Sequence, residues 1–277
     1  MSISRSTEKR LRTIEIYSSE NSSPRKHAEI KPFLESFFPN LKVRMKPSIL
    51  ARVKSRSSGR LASELASARV KDVSSPQQST EPMYGEVDYE LRSLRGKVRV
   101  GGIVYDGRRL EDILLRAILF DRSVETASIV LTDRLVSTYS RDDLRHHLRT
   151  VVFGFPSMIS IPGIVEAPAK PREFYLMKQR LEMEGSGELM MEQVKSYFKG
   201  RFIDYEDPRT ADVIQGLALQ AVVFHLTLEP FCQDKTCRLF NAHWQADLIR
   251  TQIESPRFCS KHERLLKQLS DDPVVRW

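Results

Sequence analysis

The sequence predicts an α/β fold with a mixed β-sheet and one buried central helix. Short apolar or alternating stretches typical of strands recur along the chain, and segments with helical spacing separate many of them. From Ala211 to Leu228 nearly every helical face is apolar, as in a helix surrounded by core. All three cysteines lie between residues 232 and 259, which predicts that they stabilise the C-terminal segment together.

The composition is that of a globular protein without membrane spans. The chain has 277 residues, of which 40% are hydrophobic and 29% are charged. No apolar run reaches the roughly 18 residues of a membrane helix, and the N-terminus lacks a hydrophobic signal core. We therefore expect a cytoplasmic protein. The net charge is +8, and residues 1–60 hold 14 Lys and Arg against 5 Asp and Glu. Such a basic part can favour an anionic partner or form a solvated surface.

The first 54 residues predict a basic βαβ-like part. Strands are expected at 11–17 and 41–46, with a helix at 27–40 between them. Residues 55–86 are expected to be irregular and flexible, apart from a short helix at 60–72, because the polar stretch SSPQQSTEP follows that helix. Residues 87–277 would form the remaining domain.

Strands and helices continue to alternate in the third part. Strands are predicted at 97–107 and 127–135, and two more, VVFG and SMISI, flank a turn at Gly154-Phe155-Pro156. Helices are predicted at 108–119 and 187–198. For the central helix, Asp207 is the predicted N-cap, Pro208 fits the first helical position, and Pro230 ends the helix.

The cysteine spacing predicts a structural zinc site. Cys232-x4-Cys237 is followed by 21 residues and then by Cys259-x2-His262. Two close pairs joined by a longer loop are typical of tetrahedral zinc, and three thiolates with one imidazole leave no open coordination position. An odd number of cysteines argues against a disulfide framework.

Two simpler interpretations of these residues remain open. The cysteines could be buried thiols beside a surface histidine. His243 could compete as a ligand, because a helix is predicted at 241–253 and would place His243 and Asp247 on one face, although such a pair is more typical of a hydrogen bond.

The C-terminal third resembles the archaemetzincins, zinc-dependent metallopeptidases of archaea and vertebrates, and in particular a divergent archaeal branch. Their pattern is HExxHxxGxxH, then Cys-x4-Cys-Val-Met, and later Cys-x2-Cys. Cys232, Cys237 and Cys259 match the second half, and His262 stands for the last cysteine. Together with similar upstream strands, the resemblance covers roughly residues 100–265. It implies a metzincin-like mixed sheet and a structural zinc on the cysteines.

The first half of the family pattern is not retained. The family's three metal-binding histidines align with Ala221, His225 and Phe231, and its catalytic glutamate aligns with Val222. Its glycine aligns with Leu228 and its turn methionine with Leu239. Only His225 keeps a family ligand type. Hydrolysis on zinc needs about three protein ligands and a base for the attacking water. The sequence therefore favours a degenerate peptidase site, in which His225 is a core histidine with a hydrogen-bond partner.

Three functions follow as hypotheses. The first is a non-catalytic zinc-binding relative that retains one structural zinc, without a second catalytic zinc. Its role would be binding or structural, with a peptide or protein as the candidate partner. The second is an active metallopeptidase with rearranged ligands: His225, His243 and one of His146 or His147, with Glu229 or Glu263 as base. The last pair of histidines would point to opposite sides if they lie in a strand.

The third hypothesis is a nucleic-acid-binding zinc module. It would combine the basic N-terminal part with cations near the cysteines, namely Arg238, Arg250, Arg257, Lys261 and Arg264.

Overall fold

The structure is a computed structural model that describes residues 9–20, 27–50, 57–76, 81–98, 101–117, 123–185 and 188–276. Eight strands and ten α-helices lie within these ranges. The strands are β1 (Thr13–Tyr17), β2 (Lys42–Lys46), β3 (Val104–Asp106), β4 (Thr126–Thr132), β5 (Leu135–Ser140), β6 (Arg145–Arg149), β7 (Val151–Val152) and β8 (Ser157–Ser160). The helices are α1 (Ile30–Phe37), α2 (Ser58–Ser67), α3 (Tyr84–Leu94), α4 (Gly107–Ala117), α5 (Ile161–Glu166), α6 (Arg172–Met183), α7 (Glu188–Tyr197), α8 (Thr210–Thr227), α9 (Gln245–Ile249) and α10 (Ser260–Asp271).

A five-stranded mixed sheet in the order β2-β1-β4-β8-β7 organises the fold. The first four of these strands are parallel, and β7 pairs with β8 in the antiparallel direction. β3, β5 and β6 form a second, three-stranded sheet. The predicted α/β fold with a mixed sheet is therefore confirmed, as are the two strands that flank the Gly154-Phe155-Pro156 turn.

The central helix α8 packs against one face of the larger sheet. Twelve of its eighteen residues are buried, among them Val213, Leu217 and Leu226. They share one core with Ile14 and Ile16 of β1 and with apolar residues of α1 and α10. The buried central helix predicted from its uniformly apolar faces is thus observed.

The start of α8 differs from the prediction. Its N-cap is Arg209 and the helix begins at Thr210, so Asp207 and Pro208 lie before it. The Asp207 carboxylate instead accepts hydrogen bonds from the backbone N–H and the guanidinium of Arg209. Because that carboxylate is used within the preceding turn, it does not cap the helix.

Several elements escaped sequence reasoning. α3 begins at Tyr84, inside the segment predicted to be irregular, and α6, β5 and β6 were not predicted. The polar stretch SSPQQSTEP includes residues 77–80, which lie outside the described residues. The division of the chain into three parts remains a prediction, although β1 pairs with both β2 and β4 in one sheet.

Helices α6 and α7 form a hairpin with a small core of its own, made by Phe174, Val194, Phe198 and Phe202.

Within the described ranges, none of the helices combines the length and the apolar character needed to cross a lipid bilayer.

Gly216 allows α8 to approach the segment after α9 closely. A Cβ at this position would collide with the Gln252 side-chain amide, whose Nε2 donates to the Arg238 carbonyl oxygen at 2.7 Å. Gln252 and Arg238 are both buried, so the central helix packs here against the chain that follows Cys237. The absence of a side chain at residue 216 is thus required by tertiary packing.

We predict that Gly216→Ala lowers the free energy of unfolding by about 1–3 kcal/mol, because the new methyl group displaces Gln252 and breaks its buried hydrogen bond to the Arg238 carbonyl. Gly59→Ala in α2 is the matched control, since a Cβ there meets nothing within 4 Å. The control should raise stability by up to about 1 kcal/mol through helix propensity. Urea denaturation of both variants measures the difference, and equal effects would contradict the packing argument.

Candidate metal centre

Three cysteines and one histidine that are distant in sequence lie together after α8. Cys232, Cys237, Cys259 and His262 place their ligand atoms within 4.8 Å of one another. The Cys232 and Cys259 sulfurs are 3.8 Å apart, and His262 Nδ1 lies 3.2 Å from the Cys259 sulfur and 3.6 Å from the Cys237 sulfur. The predicted set is therefore brought together by the fold.

These separations have the dimensions of a tetrahedral zinc site. With Zn–S bonds of about 2.3 Å and a Zn–N bond of about 2.1 Å, neighbouring sulfurs lie about 3.8 Å apart, and sulfur and nitrogen about 3.6 Å apart. The donor set also fits, because thiolate and imidazole are preferred zinc ligands. The residues present are thus compatible with zinc.

A tight loop positions the first two cysteines. The Cys232 N–H donates to the Leu239 carbonyl at 2.8 Å, and the Cys237 N–H donates to the Asp234 carbonyl at 3.0 Å. The Asp234 carboxylate accepts from the N–H and the hydroxyl of Thr236, which fixes the turn between them. The Asp234 N–H points to the Cys232 sulfur at 3.3 Å. Both thiols are consequently held on the inner side of the loop.

The second pair lies at the N-terminus of α10. Cys259 is the N-cap of this helix and His262 occupies its third position. This spacing turns the cysteine sulfur and the imidazole towards the same point, because the N-cap and the third helical residue face each other across the first turn. Leu266 and Leu269 then bury the following turns of α10 in the main core.

The two pairs have different electrostatic surroundings. Burial raises the pKa of the Cys237 thiol to about 12 and also raises that of Cys232. Burial opposes ionisation of Cys259 as well, but the His262 N–H, the neighbouring thiols and the Lys261 N–H lower its pKa. Burial and the Lys261 charge lower the pKa of His262, which favours its neutral imidazole. A neutral imidazole is the form that ligates metal.

Arg238 connects the cysteine loop to the core. Its side chain is buried and its guanidinium lies over the Phe33 ring at 4.8 Å. Its carbonyl accepts hydrogen bonds from Gln252 and from Gln220 of α8, and its N–H donates to the Arg257 carbonyl at 2.7 Å. Sequence reasoning missed these glutamines, although Gln220 stands out as a polar residue in the most apolar helix.

His225 is a buried histidine with a backbone partner, as expected from the sequence. Its Nε2 lies 2.8 Å from the Val124 carbonyl oxygen. Because a carbonyl can only accept, Nε2 carries the proton. Burial lowers the pKa of His225, with a smaller opposing contribution from this hydrogen bond. Phe155 contacts the ring edge to face, with the ring centroids 5.4 Å apart.

The positions around His225 are apolar and packed. Ala221 and Val222 are buried in the main core, and the Phe231 ring contacts Phe153 edge to face. Leu239 is buried in the same core. None of these four side chains can ligate a metal or accept a proton.

His243 does not pair with Asp247, and that part of the prediction is wrong. The helix starts only at Gln245, so His243 lies before it and is exposed. Asp247 pairs with Arg250 instead, at 2.7 Å. The Ala169 N–H donates to the His243 carbonyl, and Ala169 forms a parallel bridge with the extended residue Trp244.

The other candidate side chains lie in separate places. His146 and His147 occupy β6, where the first approaches Ser137 Oγ at 3.1 Å and the second Asp143 at 2.8 Å. Glu229 is exposed and pairs with Lys261, which lowers the pKa of its carboxyl. Glu263 is exposed on α10.

Across the described residues, the Cys3His set is the single group of three or more potential ligands close enough to share a metal. His225, His243 and the β6 histidines are therefore not brought together. Several cations near the cysteines also have protein partners: Arg238 is buried, Arg250 pairs with Asp247, and Lys261 pairs with Glu229.

A family model described as "Probable metallopeptidase family (DUF6775)" matches residues 10–269. The chain belongs to this family. This member carries a Cys3His group compatible with zinc. No curated protein matches the sequence.

Two solved structures are similar to this family member. One is the archaemetzincin from Methanopyrus kandleri, at 12% identity and a TM-score of 0.43, with 93% of this chain and 94% of that chain covered. The other is a zinc-dependent peptidase from Methanocorpusculum labreanum, at 11% identity and a TM-score of 0.40, with 91% and 99% covered.

Leu228, at the end of α8, yields a prediction about backbone strain. It adopts a left-handed conformation with a φ of 58°, where a Cβ is unfavourable, and its side chain is partly exposed. Leu228→Gly should therefore raise the free energy of unfolding by about 1 kcal/mol. Leu228→Ala, which keeps the Cβ, is the control and should show no such gain in urea denaturation. A gain of equal size in the alanine variant would point to the leucine side chain instead.

His225 yields a prediction about pH. Its folded pKa lies below the ordinary 6.5, so the unfolded chain binds a proton first as the pH falls. Stability is therefore lost below about pH 6.5, by at most about 1.4 kcal/mol per pH unit from this group. His225→Gln keeps an N–H donor but cannot titrate, so its stability should fall less steeply. Denaturation midpoints from pH 7.5 to 5 compare the two proteins, and parallel curves would refute the assignment.

Proposed function

We propose that this chain is a non-catalytic member of the metallopeptidase family, whose Cys3His group holds one structural zinc. The observation that carries the proposal is the convergence of four potential zinc ligands, Cys232, Cys237, Cys259 and His262, whose ligand atoms all lie within 4.8 Å of one another. Four protein ligands complete the coordination of zinc and leave no position for a catalytic water.

The surroundings of the family's catalytic positions support the second half of the proposal. Where a peptidase needs ligands and a base, this chain has Ala221 and Val222, which are buried in the core. His225 uses its Nε2 in a hydrogen bond to the backbone. A single buried histidine among apolar residues offers neither sufficient ligands nor a general base.

The zinc would fasten the C-terminal segment to the fold. The loop 232–240 and the start of α10 are joined directly by the Arg238–Arg257 backbone hydrogen bond, and otherwise meet at the cysteines and His262. Metal binding in such a segment contributes directly to folding free energy. The retained role is then the presentation of a stable surface to a peptide or protein partner.

Zinc stoichiometry of the purified protein tests this proposal. We expect one zinc per chain in the wild type and in His225→Ala, and substantially less than one in Cys237→Ser and His262→Ala. His243→Ala is the matched control, because His243 is an exposed histidine outside the group. Two zinc ions per chain, with one lost in His225→Ala, would contradict the proposal.

Activity measurements separate the two halves of the proposal. A broad peptide library should show no hydrolysis beyond that of a Val222→Ala control preparation. Hydrolysis that a chelator abolishes and that His225→Ala lacks would overturn the non-catalytic assignment, even if the structural zinc were confirmed.

A further inference from the structure

A buried carboxylate outside the metal centre is surrounded by converging donors. Glu90 of α3 is fully buried. Its Oε1 accepts hydrogen bonds from Tyr105 Oη at 2.7 Å and from Arg69 Nη2 at 2.6 Å and Nε at 2.9 Å. Its Oε2 accepts from Arg134 Nη1 at 2.8 Å. Two guanidinium groups and a phenol thus form a ready-made binding site for one carboxylate.

These donors come from three separate parts of the fold. Arg69 follows α2, Tyr105 lies in β3, and Arg134 follows β4 directly. The Arg134 guanidinium also lies over the Tyr105 ring at 4.6 Å. The convergence is therefore a product of the tertiary structure, and α3 also contacts Arg69 through the Glu86 carbonyl and the Tyr89 ring.

The cluster lies where an open parallel sheet usually binds ligands. In the order β2-β1-β4-β8, the chain leaves β1 towards one side and β4 towards the other, so their carboxyl ends form a topological switch point. Glu20, just after β1, reaches across to β4 and accepts hydrogen bonds from Thr132 Oγ1 and the Asp133 N–H. Arg134 stands beside this junction, with Nε 3.3 Å from Glu20.

Arg134 retains unused donor capacity at this point. Among the described residues, its Nη2 atom is buried and has no hydrogen-bond partner, whereas its Nε forms an ion pair with the Glu20 carboxylate at 3.3 Å. The N–H groups of Nη2 can donate to a carboxylate oxygen. An unpaired buried donor is costly, so Nη2 is expected to serve a ligand or an alternative arrangement.

α3 is attached mainly through polar groups. The buried residues of this helix are Glu90 and Ser93, and Met83 and Tyr84 at its start are exposed. Lys71 adds an ion pair to Glu86 at 2.8 Å. The apolar side chains within α3 are partly buried, and Leu94 packs against the core that contains Tyr105 and Val136. Detachment of α3 therefore costs less hydrophobic stabilisation than detachment of a fully buried helix.

We propose that Arg69, Tyr105 and Arg134 form a carboxylate-binding site that Glu90 occupies in this structure, and that a ligand carboxylate displaces Glu90 together with α3. The ligand also reaches Arg134 Nη2, which Glu90 does not use. This site is independent of the metal centre, so neither assignment depends on the other.

Hydrogen exchange of the full chain with acetate as the probe tests this proposal. Acetate should accelerate the exchange of α3 amides in the wild type by about 10-fold and leave α10 unchanged, whereas chloride at equal ionic strength should do neither. Glu90→Gln weakens the contact that competes with the ligand, so its half-saturating acetate concentration should fall by about 10-fold. Asp88→Asn is the matched control, because Asp88 is an exposed carboxylate on the same helix.

Several outcomes would overturn the proposal. These are an unchanged exchange of α3 in acetate, an equal shift in the Asp88→Asn control, and a full response that persists in Arg134→Lys, which lacks the guanidinium and its Nη2 donor. A response to inorganic phosphate but not to acetate would reject the carboxylate assignment. If Glu90→Gln fails to fold, the wild-type exchange data and the chloride comparison decide alone.

Discussion

The burial of α8 on all sides is the constraint from which most of the architecture follows. A helix with this many apolar faces must be covered by a sheet on one side and by other elements elsewhere. The larger sheet, α1 and α10 provide that cover, and they share one continuous core with the helix. Gly216 and Gln220 mark the places where the cover is backbone or amide instead of an apolar side chain.

The metal centre depends on this arrangement at both of its ends. Cys232 follows α8 after a short turn, and α10 begins at Cys259 and buries Leu266 and Leu269 in the same core. Arg238 links the cysteine loop to α8 through the two glutamines that bond its carbonyl. The Cys3His group therefore closes a loop between two elements that the core already holds close together. This arrangement lowers the entropic cost of bringing the four residues together.

Two parts of the molecule differ in whether charged side chains are buried. Along α8, Ala221 and Val222 are buried in the apolar core, and burial lowers the pKa of His225, which disfavours its charged form. Around Glu90, by contrast, Arg134 and Tyr105 are fully buried, and the Arg69 side chain is only 12% exposed. Replacing a buried ion pair by apolar residues of similar volume often leaves the free energy of unfolding unchanged or raises it. A buried charged network therefore indicates specificity or binding more than it indicates stability.

The sequence by itself determined the α/β class, the central helix and the identity of the four Cys and His residues that cluster, because periodicity and close spacing are local properties. It failed where long-range contacts decide. His243 appeared helical in isolation, but its carbonyl accepts a hydrogen bond from Ala169, and Asp207 appeared to be a cap but accepts hydrogen bonds from Arg209. Only the tertiary structure decided that His225 bonds Val124, that α3 begins at Tyr84, and that Arg69, Tyr105 and Arg134 meet at Glu90. These partners are separated by tens of residues, and no local pattern encodes which distant strand end or helix face will lie opposite them.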